Sequence, residues 1–447
     1  MTVTATSTPP PAAPQLSGGS GKGGRTRLSF PVILLLAAGA LLALSTIRWI
    51  GTTLDLIPDA EAGNWWALTA SGQITAALSM AVPIGLAGLG GLWAERAGVV
   101  NIGLEGMMIL GTFFGAWAGW QTDPWLGVLA GVLGGMFGGL LHALATVTFG
   151  VDHIISGIAI NILALGVTTY FAKLWFNSGE AAAKGGSPKQ SPPADEITTV
   201  TVPGLSDWLN SIEIDKEGQR RFFVSDVAGF LGGLVTNLSL LTIVAVLLFV
   251  MTFVVLWKTS FGLRLRSCGE NPIAAESLGV NVYKYKYIAV IVSGGMAGLG
   301  GAFLSLVTSH IYNEGQTGGR GYIGLAAMIF GNWRPGGLAM GAGLFGYADA
   351  LQLRNGGSTV HVMLLLLVLV LLAIAGWKAY RKSWIQAGAS AVIAVGVLLW
   401  FLSTDTVPVE FVAATPYVVT LLVLSLSAQR LRMPKADGMR YRKGQGK

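Results

Sequence analysis

The sequence predicts an all-α polytopic membrane protein of about twelve hydrophobic segments, some short or broken, with both termini cytoplasmic. Three observations carry this expectation. Only 11% of the 447 residues are Asp, Glu, Lys or Arg, less than half the share of about 25% found in soluble domains. Apolar runs of roughly 18 residues or more recur along the chain, each long enough to cross a hydrocarbon core of about 30 Å. Glycine is abundant, at 63 residues, and falls inside those runs without a three-residue period. Spacings such as Gly131/Gly135/Gly139, Gly294/Gly298 and Gly337/Gly341 let helix backbones approach closely in lipid.

The elements follow in order. Residues 1–28, rich in Pro, Gly, Ser and Thr, read as a disordered cytoplasmic tail. Leu16–Ser20 and Gly21-Lys22 look like fragments of ATPase loops, but neither follows a strand or opens a helix. A transmembrane domain is expected over 29–431. Lys22, Arg25 and Arg27 precede the first apolar run, Phe30–Ile50, and hold the N-terminus inside. That run is too long for the apolar part of a signal peptide. Ile74–Trp93, Leu104–Trp120, Trp125–Phe149 and Ile154–Phe176 follow with short connections. Residues 177–223, proline-bearing and with more acids than bases, form an extracytoplasmic loop. Val224–Trp257 returns to a basic cytoplasmic loop, 258–286, and Tyr287–His310 leaves it.

Tyr322–Gly331 and Gly337–Leu353 are separated by Asn332-Trp333-Arg334-Pro335, where proline and glycine interrupt a helix. Two separate crossings there keep Lys378, Arg381 and Lys382 inside, as the positive-inside rule asks. Val360–Trp377 and Trp384–Leu402 lie within 358–403, and Phe411–Leu431 completes the count of twelve. Residues 432–447 form a basic cytoplasmic tail.

Composition excludes several classes. A single cysteine, Cys268, leaves no internal disulfide and no cysteine-based metal site. The net charge of +7 sits in tails and short loops, so it reports topology rather than nucleic-acid binding. His142, His153, His310 and His361 lack paired metal spacing and read as structural. Asp349 reads as an acid near a helix end reaching for water. No catalytic set, metal site or cofactor motif is present in the sequence.

Two stretches can carry a function. Glu95–Gly106 places two acids, a base, an Asn and three glycines between apolar segments with almost no aqueous loop. Irregular backbone at membrane depth needs protein or a water-filled cavity around it. The stretch is therefore either a broken helix beside a transport route or a tight cytoplasmic turn. The second stretch, Gly262–Val280, spells a short helix. Asn271 suits the N-cap, Pro272 the first turn and Gly279 the C-terminal stop. Ile273, Ala274 and Leu278 give that helix an apolar side, which could dock a partner or lie on the bundle.

At these strings a family resemblance appears. Glu95-Arg96-Ala97-Gly98-Val99-Val100-Asn101-Ile102-Gly103-Leu104-Glu105-Gly106-Met107-Met108 resembles the hallmark of bacterial ATP-binding-cassette (ABC) permeases of the branched-chain amino acid and simple-sugar superfamily, most like its nucleoside and sugar branch. Gly269-Glu270-Asn271-Pro272 with Ala275 and Gly279 resembles that family's coupling loop. Gly319–Ala326 through Gly331–Pro335 is a third match, and Gly438–Arg442 is similar to the usual ending.

The resemblance implies a multi-pass permease subunit of the bacterial inner membrane, without an ATPase site of its own. It implies import of a small polar solute, a nucleoside or simple sugar. Its partners would be cytoplasmic ATPase subunits, which use the ATP, a second homologous permease, and an extracytoplasmic substrate-binding lipoprotein. ATPase coupling falls to Gly269, Glu270, Asn271, Pro272, Ala275 and Gly279, and a bulky charge at Ala275 is expected to block docking while sparing the bundle. The translocation path is assigned to Glu95, Asn101, Glu105, Asn161 and Asn332. The pair of segments at 358–403 departs from the family pattern and reads as a two-helix insertion. The alternative from another class is an ion-coupled secondary transporter, which would place acids at the bilayer midplane and need no ATPase.

Overall fold

The computed structural model describes residues 45, 46, 49, 68–214, 222–353, 356–413 and 431–444. The tail 1–28, almost all of Phe30–Ile50, and most of Phe411–Leu431 lie outside the described residues.

Helix α1, Ser71–Arg96, is the axis of the bundle, with nearly its whole surface buried. At a rise of 1.5 Å per residue its 26 residues span about 39 Å. Its two ends define the Ser71 end and the Arg96 end of the molecule. After it in the chain come α2 (Leu104–Gln121), α3 (Pro124–Ala143) and α4 (His153–Trp175). Asp123 and Asp152 start α3 and α4 by accepting the N–H groups of Trp125 and of Ile154 and Ile155.

The expected span Val224–Trp257 is two pieces. Helix α5 (Leu205–Glu213) and helix α6 (Val224–Gly233) lie at the Ser71 end, and α7 (Leu240–Lys258) begins after a break. The break holds Asn237 at φ 51° and a two-residue strand, Leu238–Ser239, paired with Thr199–Val200. Polar Thr236 and Asn237 follow Gly232-Gly233, which is where a continuous helix fails.

After α7 come α8 (Ser260–Glu270), α9 (Pro272–Ser277) and α10 (Val282–Phe303). The expected loop 258–286 is thus mostly helical. Helices α3 and α10 pack antiparallel through their glycines. A Cβ on Gly135 or Gly139 would overlap the backbone of Gly294 or Gly298 and Val290. Those spacings were visible in the sequence and mark a close helix contact. Both helices run into single π-helical turns, Leu144–Thr148 and Leu304–Thr308.

Helices α11 (Arg320–Phe330) and α12 (Pro335–Leu353) form an antiparallel hairpin, as the interruption at Asn332–Pro335 predicts. Its turn puts Asn332 and Trp333 at positive φ, 54° and 52°. Helix α11 has 11 residues, about 16 Å, which is half a bilayer. Among the described residues six helices are long and apolar enough to cross a membrane: α1, α3 with its π turn, α4, α7, α10 with its π turn, and α14 (Trp384–Ser403). The count of twelve is not reached: α11 is too short to cross, and Phe30–Ile50 and Phe411–Leu431 lie almost wholly outside the described residues.

Helix α13 (Gly356–Tyr380) pairs with α14 around an apolar cluster of its own, Val360, Leu364, Val407 and Val412. Among the described residues, the main core, built on Leu86, Leu89, Leu92, Phe303, Met328 and Phe345, contains none of that cluster.

Candidate translocation and coupling site

After Arg96 the chain leaves helical geometry through Gly98 (φ 80°) and runs irregularly to Leu104. Neighbouring helices supply its backbone partners. Lys286 Nζ donates to the Gly98 carbonyl at 3.2 Å. His153 Nδ1 accepts the Val100 N–H at 3.2 Å, and His142 Nε2 donates to the Val100 carbonyl at 3.0 Å. Asn101, fully buried, accepts the Gly103 N–H at 3.1 Å and donates to Ser293 Oγ at 2.8 Å. Asn161 Nδ2 donates to the Ile102 carbonyl at 3.1 Å. Irregular backbone away from water survives only when satisfied in this way. The stretch is a broken helix, not a plain turn. Two histidines expected to be solitary converge on the one peptide of Val100.

Helix α2 therefore begins inside the bundle. Leu104 packs against Gly90 and Gly91 of α1, well short of the Arg96 end. Asn161 Oδ1 accepts the Gly106 N–H at 2.7 Å. The Glu105 carboxylate turns to the second half-helix, where it accepts the Gly319 N–H at 3.0 Å and the Gly321 N–H at 2.7 Å. The start of α11 is at the same depth, because Arg320 reaches Met80, about 13 Å along α1 from Ser71. Two helix N-termini, each with a partial positive charge, thus meet at one carboxylate. Gly321 permits the approach, since a Cβ there would meet Glu105 Cα at 2.6 Å.

The junction continues outward. Tyr322, 46% exposed, accepts at its hydroxyl oxygen from Asn161 Nδ2 at 2.8 Å. Arg320 donates to Asp349 of α12 at 3.0 Å from Nε and 2.6 Å from Nη2. Asp349 is thus not an acid seeking water. It is paired in the hairpin, with both side chains 16% exposed.

The other assigned path residues sit elsewhere. At the Arg96 end, Trp333 donates its indole N–H to Glu95 Oε2 at 2.5 Å, and Arg96 donates to the Trp333 carbonyl at 3.1 and 2.6 Å. Asn332 accepts the Arg432 N–H at 2.7 Å. The five assigned residues therefore split: Glu105 and Asn161 at the junction with Asn101 bracing it, Glu95 and Asn332 at the hairpin turn. Arg320, Tyr322, Trp333 and Asp349 were not singled out as path residues. The string Gly319–Pro335 contained three of them, but no spacing rule brings α11 to Glu105.

The coupling string forms the expected helix. Asn271 Oδ1 accepts the Ala274 N–H at 3.0 Å, Pro272 opens α9, and Gly279 closes it at φ 79°. Ala275 contradicts its expected exposure. It is 2% exposed and packs with Cys268 and Val282, while Ile273 (43%) and Leu278 (84%) face out. One residue along a helix turns a side chain by about 100°, so Ala275 lies off the face that carries Ile273, Ala274 and Leu278. Gly269 abuts Arg96 and Gly98, and Glu270 Oε2 lies 3.5 Å from the Lys435 N–H.

A half-helix meeting the start of a second helix inside a bundle of membrane-length helices, with a capped helix at one end, defines a multi-pass membrane transport subunit. The chain belongs to the family described as branched-chain amino acid transport system / permease component, matched over residues 73–375. It is an ABC transporter permease subunit. It is similar to the guanosine ABC transporter permease protein NupQ of Bacillus subtilis, 33% identical over 83% of this chain and 96% of that protein. It is also similar to the nucleoside ABC transporter permease protein NupC of Lactococcus lactis, 32% identical over 81% and 94%. The putative glucose ABC transporter permease protein TsgC13 of Haloferax volcanii is 36% identical over 64% and 78%. No solved structure matches the chain.

Proposed function

We propose that this permease imports a nucleoside across the bacterial inner membrane, using the junction of Glu105, Asn161 and Tyr322 as part of its path. The observation that carries the reading is the meeting, at membrane depth, of the N-termini of α2 and of the half-helix α11, lined by hydrogen-bonding side chains. The relatives' substrates support a nucleoside over a simple sugar: the two that cover most of this chain are guanosine and nucleoside permeases. The Arg96 end is cytoplasmic, in keeping with Arg96, Arg264, Arg266, Lys284, Lys286 and Arg334 gathered there.

The chain hydrolyses no ATP and binds no cofactor itself. Cytoplasmic ATPase subunits dock on α9 and use the ATP, a second permease completes the path, and an extracytoplasmic binding lipoprotein delivers the ligand. The test is uptake of labelled guanosine by cells carrying or lacking this gene. Uptake should require the gene and stop when ATP is depleted. Uptake that persists without ATP under an imposed proton gradient would establish an ion-coupled transporter instead.

A further inference from the structure

Residues 431–444 are not a free tail. The Ala436 N–H donates to the Gly269 carbonyl at 2.8 Å, at the end of α8. Arg432 donates its N–H to Asn332 in the hairpin turn at 2.7 Å. The Gly444 N–H reaches Glu276 of α9 at 3.3 Å, and the Tyr441 ring lies 5.5 Å from that of Tyr283 at the start of α10. Gly98 of the broken stretch faces the Ala436 carbonyl, and Gly438, at φ 76°, faces Val100. One segment touches α8, α9, α10, the hairpin turn and the broken stretch after α1.

Its centre is Asp437, 8% exposed, with the Gly438 N–H beside its carboxyl. It faces the Glu95 carboxyl, which also holds Trp333. The charged groups around the pair are Glu95 and Arg96 of α1, Lys286 of α10, Glu270 and Arg266 of α8, and Arg334 of the hairpin turn.

We propose that residues 431–444 are a clasp that fixes the coupling helix to the base of α1 and to the hairpin turn, with Asp437 as its positioning residue acting through Glu95. The proposal rests on the permease reading above. Displacement of α9 by a docked ATPase then moves the Trp333 turn, and α11 carries that movement to the Glu105 junction. Two carboxyls facing each other away from water share a proton rather than both ionise. Burial, foremost, pushes the Asp437 carboxyl up to about 7. A carboxyl raised in this way contributes stability that is fully present below its unfolded value and is lost as pH rises through about 7.

The experiment uses the full chain assembled with its ATPase subunits, the second permease and the binding lipoprotein in proteoliposomes, reading guanosine transported per ATP hydrolysed. Asp437→Asn, which can donate an amide N–H to Glu95, should keep the wild-type ratio and hold it across pH. Asp437→Leu should lower the ratio about tenfold or more while ATPase co-purification stays normal. The wild-type ratio should fall between about pH 6 and about pH 8. Equal ratios for Leu, Asn and wild type would overturn the clasp, and so would lost ATPase binding in the Leu variant, which would make the segment a docking element. Wild type that moves no guanosine with ATP would instead refute the nucleoside reading.

Discussion

Glu105 Oε2 accepts the Gly321 N–H at 2.7 Å, so one carboxylate joins the beginnings of α2 and α11. Its other oxygen takes the Gly319 N–H at 3.0 Å, and the side chain is 7% exposed. Glu105→Ala should orphan both donors, at about 1–3 kcal/mol each. Glu105→Gln keeps one acceptor and turns its amide N–H₂ on the second donor. The expected order of melting temperature and of uptake is Glu, then Gln, then Ala. Equal melting of all three in detergent would show that the junction does not depend on this carboxylate.

Arg320 and Asp349 tie the first half of the hairpin to its second half close to that junction. Removing one partner of a mostly buried pair strands the other charge, at about 3–5 kcal/mol. Arg320→Leu and Asp349→Leu should each destabilise strongly, whereas the double variant should recover much of the loss. Additive losses in the thermal-melting cycle would mean that the two side chains do not act as a pair.

Much of this fold was legible. The glycine spacings marked faces made for close packing, which α3 and α10 turn to each other, and Pro335 with its neighbours located the hairpin turn. Asn271, Pro272 and Gly279 located α9, because capping is a local property. What was not legible depends on distant partners. Asp349 looked like a surface-seeking acid until Arg320, 29 residues earlier, supplied its charge partner. Asn101 has the look of a path residue but is spent on Ser293 and Gly103. Ala275 was misread because a six-residue helix carries too little pattern to fix which face is buried.

Tyr322 and Asn161 make the exposed edge of the junction. Tyr322→Phe removes only a hydroxyl, so protein level and ATPase co-purification should not change. If a nucleoside passes this edge, the half-saturating concentration for guanosine uptake should rise several-fold, in keeping with about 0.5–1.5 kcal/mol for one hydrogen bond. An unchanged concentration dependence would take Tyr322 off the path.

Orientation and the α13–α14 pair can be tested together. Cys268 is buried, so background labelling should be low. A cysteine at exposed Asn313, toward the Ser71 end, should react with an impermeant thiol reagent in intact cells. Cysteines at Lys258 and Lys382 should not, and labelling at either would invert or break the assigned topology. Because the α13–α14 pair has its own apolar cluster, deleting 360–402 should leave measurable uptake. Total loss with normal protein level would make the pair part of the transport core.

The coupling helix gives the sharpest contrast between neighbouring residues. Leu278 is 84% exposed and Ile273 43%, while Ala275 is 2% exposed against Cys268 and Val282. An apolar pair facing the solvent on a short helix suits a small docking contact, where a few side chains carry most of the energy. Leu278→Arg or Ile273→Arg should therefore insert and melt like wild type yet fail to co-purify with the ATPase and lose uptake. Ala275→Arg should differ in kind. Its guanidinium would be forced into an apolar cluster with no anion provided, an unpaired buried charge costing several kcal/mol. The expected result is a lower melting temperature and lower protein level, with ATPase binding lost only as a consequence. If Ala275→Arg melts normally and loses only the ATPase, the face of α9 assigned here to the bundle is the docking face instead.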